Sequence, residues 1–245
     1  MKGQILILVL LILFLDNCIS QDKKVSLQQT SETWIESKAV NDKFLIKCFI
    51  PENLSKSIDS LPIIFVLDAD KCFAMTYDIV KWLIWSREIP KAAIIGIAYG
   101  STDTDWWQKR SRDFAVSKDK TEIWGKFPLA GGGENFKDFL ENELIPYIGD
   151  EYNLKSENRT IVGLSFGGLI STDILFSRRY LFQRYIIASP ALQWNDREVF
   201  ERESDFYETN KSIDAIVYSS IGSLDNNLII EPWNDFKKQV EKKIN

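Results

Sequence analysis

The chain opens with an unbroken apolar run, Ile5 to Leu15, and then alternates short apolar stretches with segments of helical spacing. Phe44 to Ile50 reads as an early strand stopped by Pro51. Leu61 to Leu67 (LPIIFVL) and Ala92 to Ala98 (AAIIGIA) are apolar throughout, the pattern of strands buried on both faces. Between them, Met75 to Trp85 carries Ile79, Trp82 and Leu83 at helical intervals, which predicts a helix. Phe136, Phe139, Leu140 and Leu144 predict a second amphipathic helix ending near Pro146. A strand is expected at Thr160 to Leu164, a helix from about Gly168 to Phe176, and strands at Tyr185 to Ala188 and Ala215 to Ile221. Trp233, Phe236, Val240 and Ile244 make the face of a last helix, with Pro232 in its first turn.

Strands alternating with helices of this size predict an α/β fold, a mostly parallel sheet covered by helices on both faces. No internal repeat or long linker interrupts the pattern after residue 21, so a single domain is expected. In such sheets the chemistry lies at the carboxyl ends of the strands. The loops after Leu67, Ala98, Leu164, Ala188 and Ile221 are therefore where a site belongs.

The opening run has eleven residues, too few for the roughly 20 that span a bilayer as a helix. Its length suits the apolar core of an export signal, and Cys18-Ile19-Ser20 offers small residues before Gln21. Residues 1–20 are expected to be a signal peptide, leaving a mature chain 21–245 without a transmembrane helix. Lipid attachment at Cys18 ranks second, because Asp16 and Asn17 fit such a site poorly. Of the remaining cysteines, Cys48 and Cys72, one disulfide or two buried thiols both fit, and neither lies in a metal-ligand spacing.

The 245 residues carry 30 Lys and Arg against 35 Asp and Glu, a net charge of −5, which argues against nucleic acid as a partner. They contain no histidine. Imidazole is the usual general base at neutral pH, so a catalytic reading has to manage without one.

Gly163-Leu164-Ser165-Phe166-Gly167 matches G-x-S-x-G, between an apolar strand and an amphipathic helix. A sharp strand-to-helix turn needs small neighbours so that the serine hydroxyl stands exposed above the sheet. Gly168 adds room for close packing, and the helix start with its Phe166 N–H suits a developing oxyanion. Downstream, Gly222-Ser223-Leu224-Asp225 puts Asp225 on the loop after a later strand, where the acid of a triad would fall or where an ordinary turn aspartate would sit. Asp68-Ala69-Asp70 reads as turn or cap residues before it reads as a metal site. Trp106 and Trp107, followed by Arg110, Arg112 and Asp113, are read as a long loop. That loop either lines a substrate cleft or forms a clasp in which Arg112 pairs with Asp113 or another carboxylate.

Together the segments PIIFVLDADKCF, DIVKWLIW, GIAYG, RSRDF, GGGENFKDFLENELIPYI, RTIVGLSFGG, FQRYIIASPAL and IGSLDNN resemble, in order, a family of α/β-hydrolases. It is the group of esterase D and the enterochelin esterases, and the resemblance runs from about Trp34 to Asn227. It implies an α/β-hydrolase fold and hydrolysis of a small-molecule carboxylic ester through a serine nucleophile, with no cofactor or metal. It implies Ser165 as nucleophile, Asp225 at the acid position, and the N–H groups of Phe166 and of Ala69 to Asp70 as an oxyanion hole. Trp106, Trp107 and Arg110 are the substrate-binding candidates. The family usually has Gly at Ala69 and often His at Leu164, and neither change removes a backbone donor.

Relatives continue past the acid to a loop bearing the catalytic His, so the 245 residues are expected to stop short of that segment. Three readings follow: a secreted serine esterase whose His lies in further coding sequence, an exported binding module on the same scaffold, or an acyltransferase.

Overall fold

Seven strands form one sheet in the order β1-β2-β4-β3-β5-β6-β7. The computed structural model describes residues 26–52, 61–100, 103–121 and 125–242. The expected signal segment and Cys18 lie outside them. β1 (Thr30–Ser37) and β2 (Asp42–Phe49) pair antiparallel, as do β2 and β4. β3 (Ile63–Val66), β4 (Ala93–Ala98), β5 (Arg159–Leu164), β6 (Arg184–Ala188) and β7 (Ile216–Ser220) run parallel. The carboxyl ends of the parallel strands therefore open on one rim, as the apolar runs predict.

α1 (Ala69–Trp85) follows β3 directly and packs on one face over β3 and β4. It is longer than the spacing predicts, starting six residues before Met75. Ala69, Phe73, Tyr77 and Val80 are buried, whereas Ile79 and Trp82 are 52% and 64% exposed. The approach is close because β4 carries Gly96, where a Cβ would lie 2.6 Å from the Phe73 ring and 2.7 Å from Ala69 Cβ.

The opposite face holds the larger core. There α2 (Asp103–Phe114), α3 (Gly133–Asp138), a π-helical turn (Phe139–Leu144), α4 (Ile145–Glu151), α5 (Phe166–Ser177), α6 (Val199–Thr209) and α7 (Asn227–Glu241) follow one another along the chain. Phe44, Phe65, Phe136, Phe139, Ile161 and Tyr185 belong to this core.

Other differences have local causes. β1 escaped the pattern because an edge strand half in solvent is mostly polar (TSETWIES). The expected loop around Trp106 is the helix α2, whose inward stripe is Trp106, Arg110 and Phe114, so a charged residue interrupts the apolar period. In α6 the inward residues are Val199, Glu203 and Phe206, again with a charge at mid-stripe. α7 starts earlier than expected, because the Asn226 side chain accepts from the Leu228 N–H and caps it. Pro232 consequently lies inside the helix and not in its first turn. Cys48 is buried and Cys72 half-buried, both as free thiols.

The clasp at Arg112 ties α2 to the start of β2. Its guanidinium donates to both Asp113 oxygens, at 2.7 and 2.9 Å, and to Asp42 Oδ2 at 2.7 Å. Burial pushes the Asp42 carboxyl upward, but hydrogen bonds from Arg112, the Lys43 N–H and Lys109 outweigh it and hold the pKa at about 2. A depressed folded-state value stabilises the fold above the ordinary 3.8, and that stabilisation is lost as pH falls through about 2. Asp42→Asn is therefore expected to flatten the fall in urea midpoint between about pH 4 and pH 2. An unchanged acid limb would contradict the assignment.

Candidate active site

β5 ends at Leu164, α5 begins at Phe166, and Ser165 stands alone between them at φ 58°, ψ −115°. That conformation is strained for any residue with a Cβ. The glycines of the motif make it feasible. A Cβ on Gly163 would lie 2.2 Å from the Gly167 carbonyl oxygen, and one on Gly168 would lie 2.9 Å from Pro190 Cα. Gly163→Ala is expected to cost about 1–3 kcal/mol or more and to displace the turn, measurable as a lower urea midpoint together with lost reactivity at Ser165. Wild-type stability in that variant would show that the turn tolerates a wider path.

The turn is pinned to the loop after β6. The Ser165 N–H donates to the Ala188 carbonyl at 3.0 Å, and the Ala191 N–H donates to the Ser165 carbonyl at 3.1 Å. Ser165 opens on a cavity of about 500 Å³ that is also lined by Trp107, Phe127, Phe166, Ser189 and Trp194. Phe127, Phe166 and Trp194 meet edge to face, with centroids 4.9–5.7 Å apart. This gives a predominantly aromatic wall with a few hydroxyls, a surface suited to a flat or apolar group.

Phe166 is the first residue of α5, and Ala69 and Asp70 are the first two of α1. First-turn N–H groups have no intrahelical acceptor, so these three are among the backbone donors at the strand ends. Asp70 also uses its carboxylate, which accepts from the Tyr99 N–H at 2.6 Å and the Gly100 N–H at 2.8 Å and so fixes the loop after β4.

Asp225 lies on the turn after β7, held by two donors on one oxygen. The Ser189 hydroxyl reaches Oδ2 at 2.7 Å and the Gly222 N–H reaches it at 2.9 Å. Ser189 itself lines the Ser165 cavity, so the two sequence-predicted residues meet the same space through it.

The three expected substrate-binding residues part company. Trp107 lines the cavity and is 47% exposed, while Trp106 is buried. Arg110 is 2% exposed and points into the protein. It forms a two-pronged pair with Asp68, Nε to Oδ1 at 2.9 Å and Nη2 to Oδ2 at 2.7 Å, and also donates to the Leu164 carbonyl at 3.2 Å. Trp106, Trp107, Phe114 and Phe166 surround the guanidinium within 4.8–5.8 Å. Arg110 thus braces the carboxyl end of β5 against Asp68, the left-handed residue that starts α1. Burial pushes the Asp68 carboxyl upward, against the hydrogen bond and charge of Arg110. Among the described residues, no cluster of three or more His, Cys, Asp or Glu is placed to hold a metal ion.

Ser189, Phe127 and Trp194 were not singled out from the sequence. Ser189 carried a signal in hindsight, since it leaves β6 where Ser165 leaves β5, and adjacent parallel strands bring their ends together.

A mostly parallel sheet with a strained serine between a central strand and the following helix defines an α/β-hydrolase. Comparison with known proteins names the group. The chain belongs to the family described as "Putative esterase", whose model matches residues 37–235. Ferri-bacillibactin esterase BesA of Bacillus subtilis (strain 168) is 31% identical over 160 residues, covering 61% of this chain and 54% of that protein. The siderophore triacetylfusarinine C esterase of Aspergillus fumigatus is 29% identical over 158 residues, covering 62% and 51%. The chain spans about half the length of these curated relatives. Among solved structures, the BES protein from Bacillus cereus superposes with a TM-score of 0.79 at 26% identity, covering 91% of this chain and 86% of that one. The siderophore hydrolase EstA from Aspergillus nidulans, at 19% identity and a TM-score of 0.70, shares the fold.

Proposed function

We propose that this chain is a serine carboxylic ester hydrolase with Ser165 as nucleophile. The observation that carries the reading is the strained turn holding Ser165 over an aromatic cavity. Attack of Oγ on an ester carbonyl puts negative charge on the carbonyl oxygen. The N–H of Phe166 and those of Ala69 and Asp70 are the donors assigned to that oxygen. Asp225 is the acid of the site, and Trp107 with the Phe127, Phe166 and Trp194 wall receives the acyl or alcohol portion. The reaction needs neither metal nor cofactor.

Siderophore esters are the substrate class supported by the names of the relatives, and an aromatic wall suits a flat acyl group. Export by residues 1–20 completes the reading, since an extracellular or periplasmic enzyme meets such esters outside the cytoplasm. Among the described residues no helix is long and apolar enough to cross a membrane.

A second reading, a binding module, is favoured by one fact: the 245 residues contain no histidine. The two separate in one experiment. A hydrolase releases p-nitrophenol from p-nitrophenyl benzoate in a Ser165-dependent manner. A binding module quenches cavity tryptophan fluorescence with the same ester but releases none.

A further inference from the structure

α1 buries one face and carries an apolar stripe on the other. Ala69, Phe73, Tyr77 and Val80 point into the fold, while Met75, Ile79, Trp82 and Trp85 are 60%, 52%, 64% and 73% exposed. At about 100° per residue, Met75, Ile79 and Trp82 stand roughly opposite the buried set. The stripe ends on two tryptophans in contact, with ring centroids 4.9 Å apart. Scattered apolar residues on a surface need no explanation, but a contiguous row of large ones marks an interaction face.

Charge indicates what covers it. The chain as a whole is at −5, yet Lys71 to Lys91 holds Lys71, Lys81, Arg87 and Lys91 against Asp78 and Glu88. Lys71, Arg87 and Lys91 are exposed, and Lys81 lies along the helix flank with Nζ 3.0 Å from the Tyr77 hydroxyl. An apolar stripe rimmed by basic groups on an otherwise acidic protein complements an anionic lipid surface. Tryptophan, with an apolar body and one N–H, settles at the level of the headgroups. Pairing two copies through this face would instead bring two basic rims together.

The path of the chain points the same way. Leu27 packs against the cluster beneath α1, and the Tyr77 hydroxyl donates to the Gln28 carbonyl at 3.0 Å. Leu27 stands twelve positions after the apolar run Ile5 to Leu15 and nine after Cys18. Nine extended residues reach about 30 Å at most. An export signal or a lipid on Cys18 therefore brings the α1 side of the fold to the membrane first.

We propose that the outward face of α1 is a peripheral docking surface for an anionic phospholipid bilayer. Met75, Ile79, Trp82 and Trp85 sink to the boundary between headgroups and acyl chains, and the basic rim meets lipid phosphates. α1 starts at the rim that carries Ser165, and Trp82 stands about 20 Å further along the helix axis. Docking thus leaves the aromatic cavity open, and it does not depend on the role of Ser165.

The test is flotation of the full 245-residue chain with phosphatidylcholine–phosphatidylglycerol vesicles, repeated with brominated acyl chains. Wild type is expected to float, with its tryptophan emission quenched by the brominated lipid. The run Ile5 to Leu15 contains no tryptophan, so quenching reports the fold and not the run. Trp82→Gln with Trp85→Gln is expected to weaken vesicle binding by about 10-fold or more and to remove most of the quenching. Its Tm should equal that of wild type, because both side chains are exposed. Omitting phosphatidylglycerol should weaken wild-type binding by about 10-fold as well.

Undiminished flotation of the double variant would overturn the proposal and assign binding to the apolar run. A wild-type chain that ignores the vesicles, or binds equally without phosphatidylglycerol, would overturn it too. Association of the wild-type chain in the absence of lipid, lost in the double variant, would assign the face to a second copy.

Discussion

Ser165→Ala should lower p-nitrophenyl ester turnover by about 10³-fold or more, with binding of the ester left intact. The expectation follows from where the hydroxyl stands. Ser165 is held by three backbone hydrogen bonds, two to the 188–191 loop and one from the Leu169 N–H at 2.9 Å, so alanine inherits the same turn. What is removed is the atom proposed to form the acyl intermediate, not the architecture around it. The cavity wall of Trp107, Phe127, Phe166 and Trp194 is untouched, so quenching of tryptophan fluorescence by the ester should titrate with a similar midpoint. A loss of binding equal to the loss of turnover would mean that the turn had collapsed. Undiminished turnover would assign the chemistry to another residue.

The second large effect concerns stability. Arg110→Leu is expected to destabilise the fold by about 3–5 kcal/mol, because it leaves the 4%-exposed Asp68 carboxylate without its partner. The pair also braces the site: Arg110 reaches the Leu164 carbonyl, the residue before Ser165, while Asp68 starts the helix whose first N–H groups are assigned to the oxyanion. The double variant Arg110→Leu with Asp68→Leu should recover much of the loss, since it removes both buried charges together. The penalty of the single variant should shrink as pH falls, because burial raises the Asp68 carboxyl and an unpaired Asp68 can take a proton. Urea denaturation of the two variants across pH measures all three statements. An equal loss in single and double variants would show that Arg110 matters by packing against its aromatic neighbours and not by charge.

The parts of this molecule that were legible in its sequence are those dictated by local pattern. β3 and β4 are continuous apolar runs and β5 becomes one from Ile161, and buried parallel strands have little other option. The elbow was legible for a different reason, because Gly163 and Gly168 are each required by a contact that a Cβ would spoil.

What stayed hidden depends on partners far along the chain. Arg110 reads as a surface or ligand-binding residue until Asp68, 42 positions away, is seen beside it. Glu203 breaks the period of α6 and Arg110 that of α2, so two helices with charged residues in their inward stripes went unseen. Ile79 and Trp82 lie at helical spacing, but the helix begins six residues before Met75 and turns Phe73, Tyr77 and Val80 inward. Ser189 is a short polar residue at a strand end, and its contact with Asp225 exists only because β7 lies beside β6.

In the proposed hydrolase, Ser165 Oγ is the reacting atom of the site. Mass-spectrometric mapping of the full chain after exposure to a fluorophosphonate tests that directly. The predicted result is one probe per chain, on the peptide containing Ser165, accumulating slowly and absent from Ser165→Ala. An adduct on a different serine, or none after prolonged exposure, would contradict it.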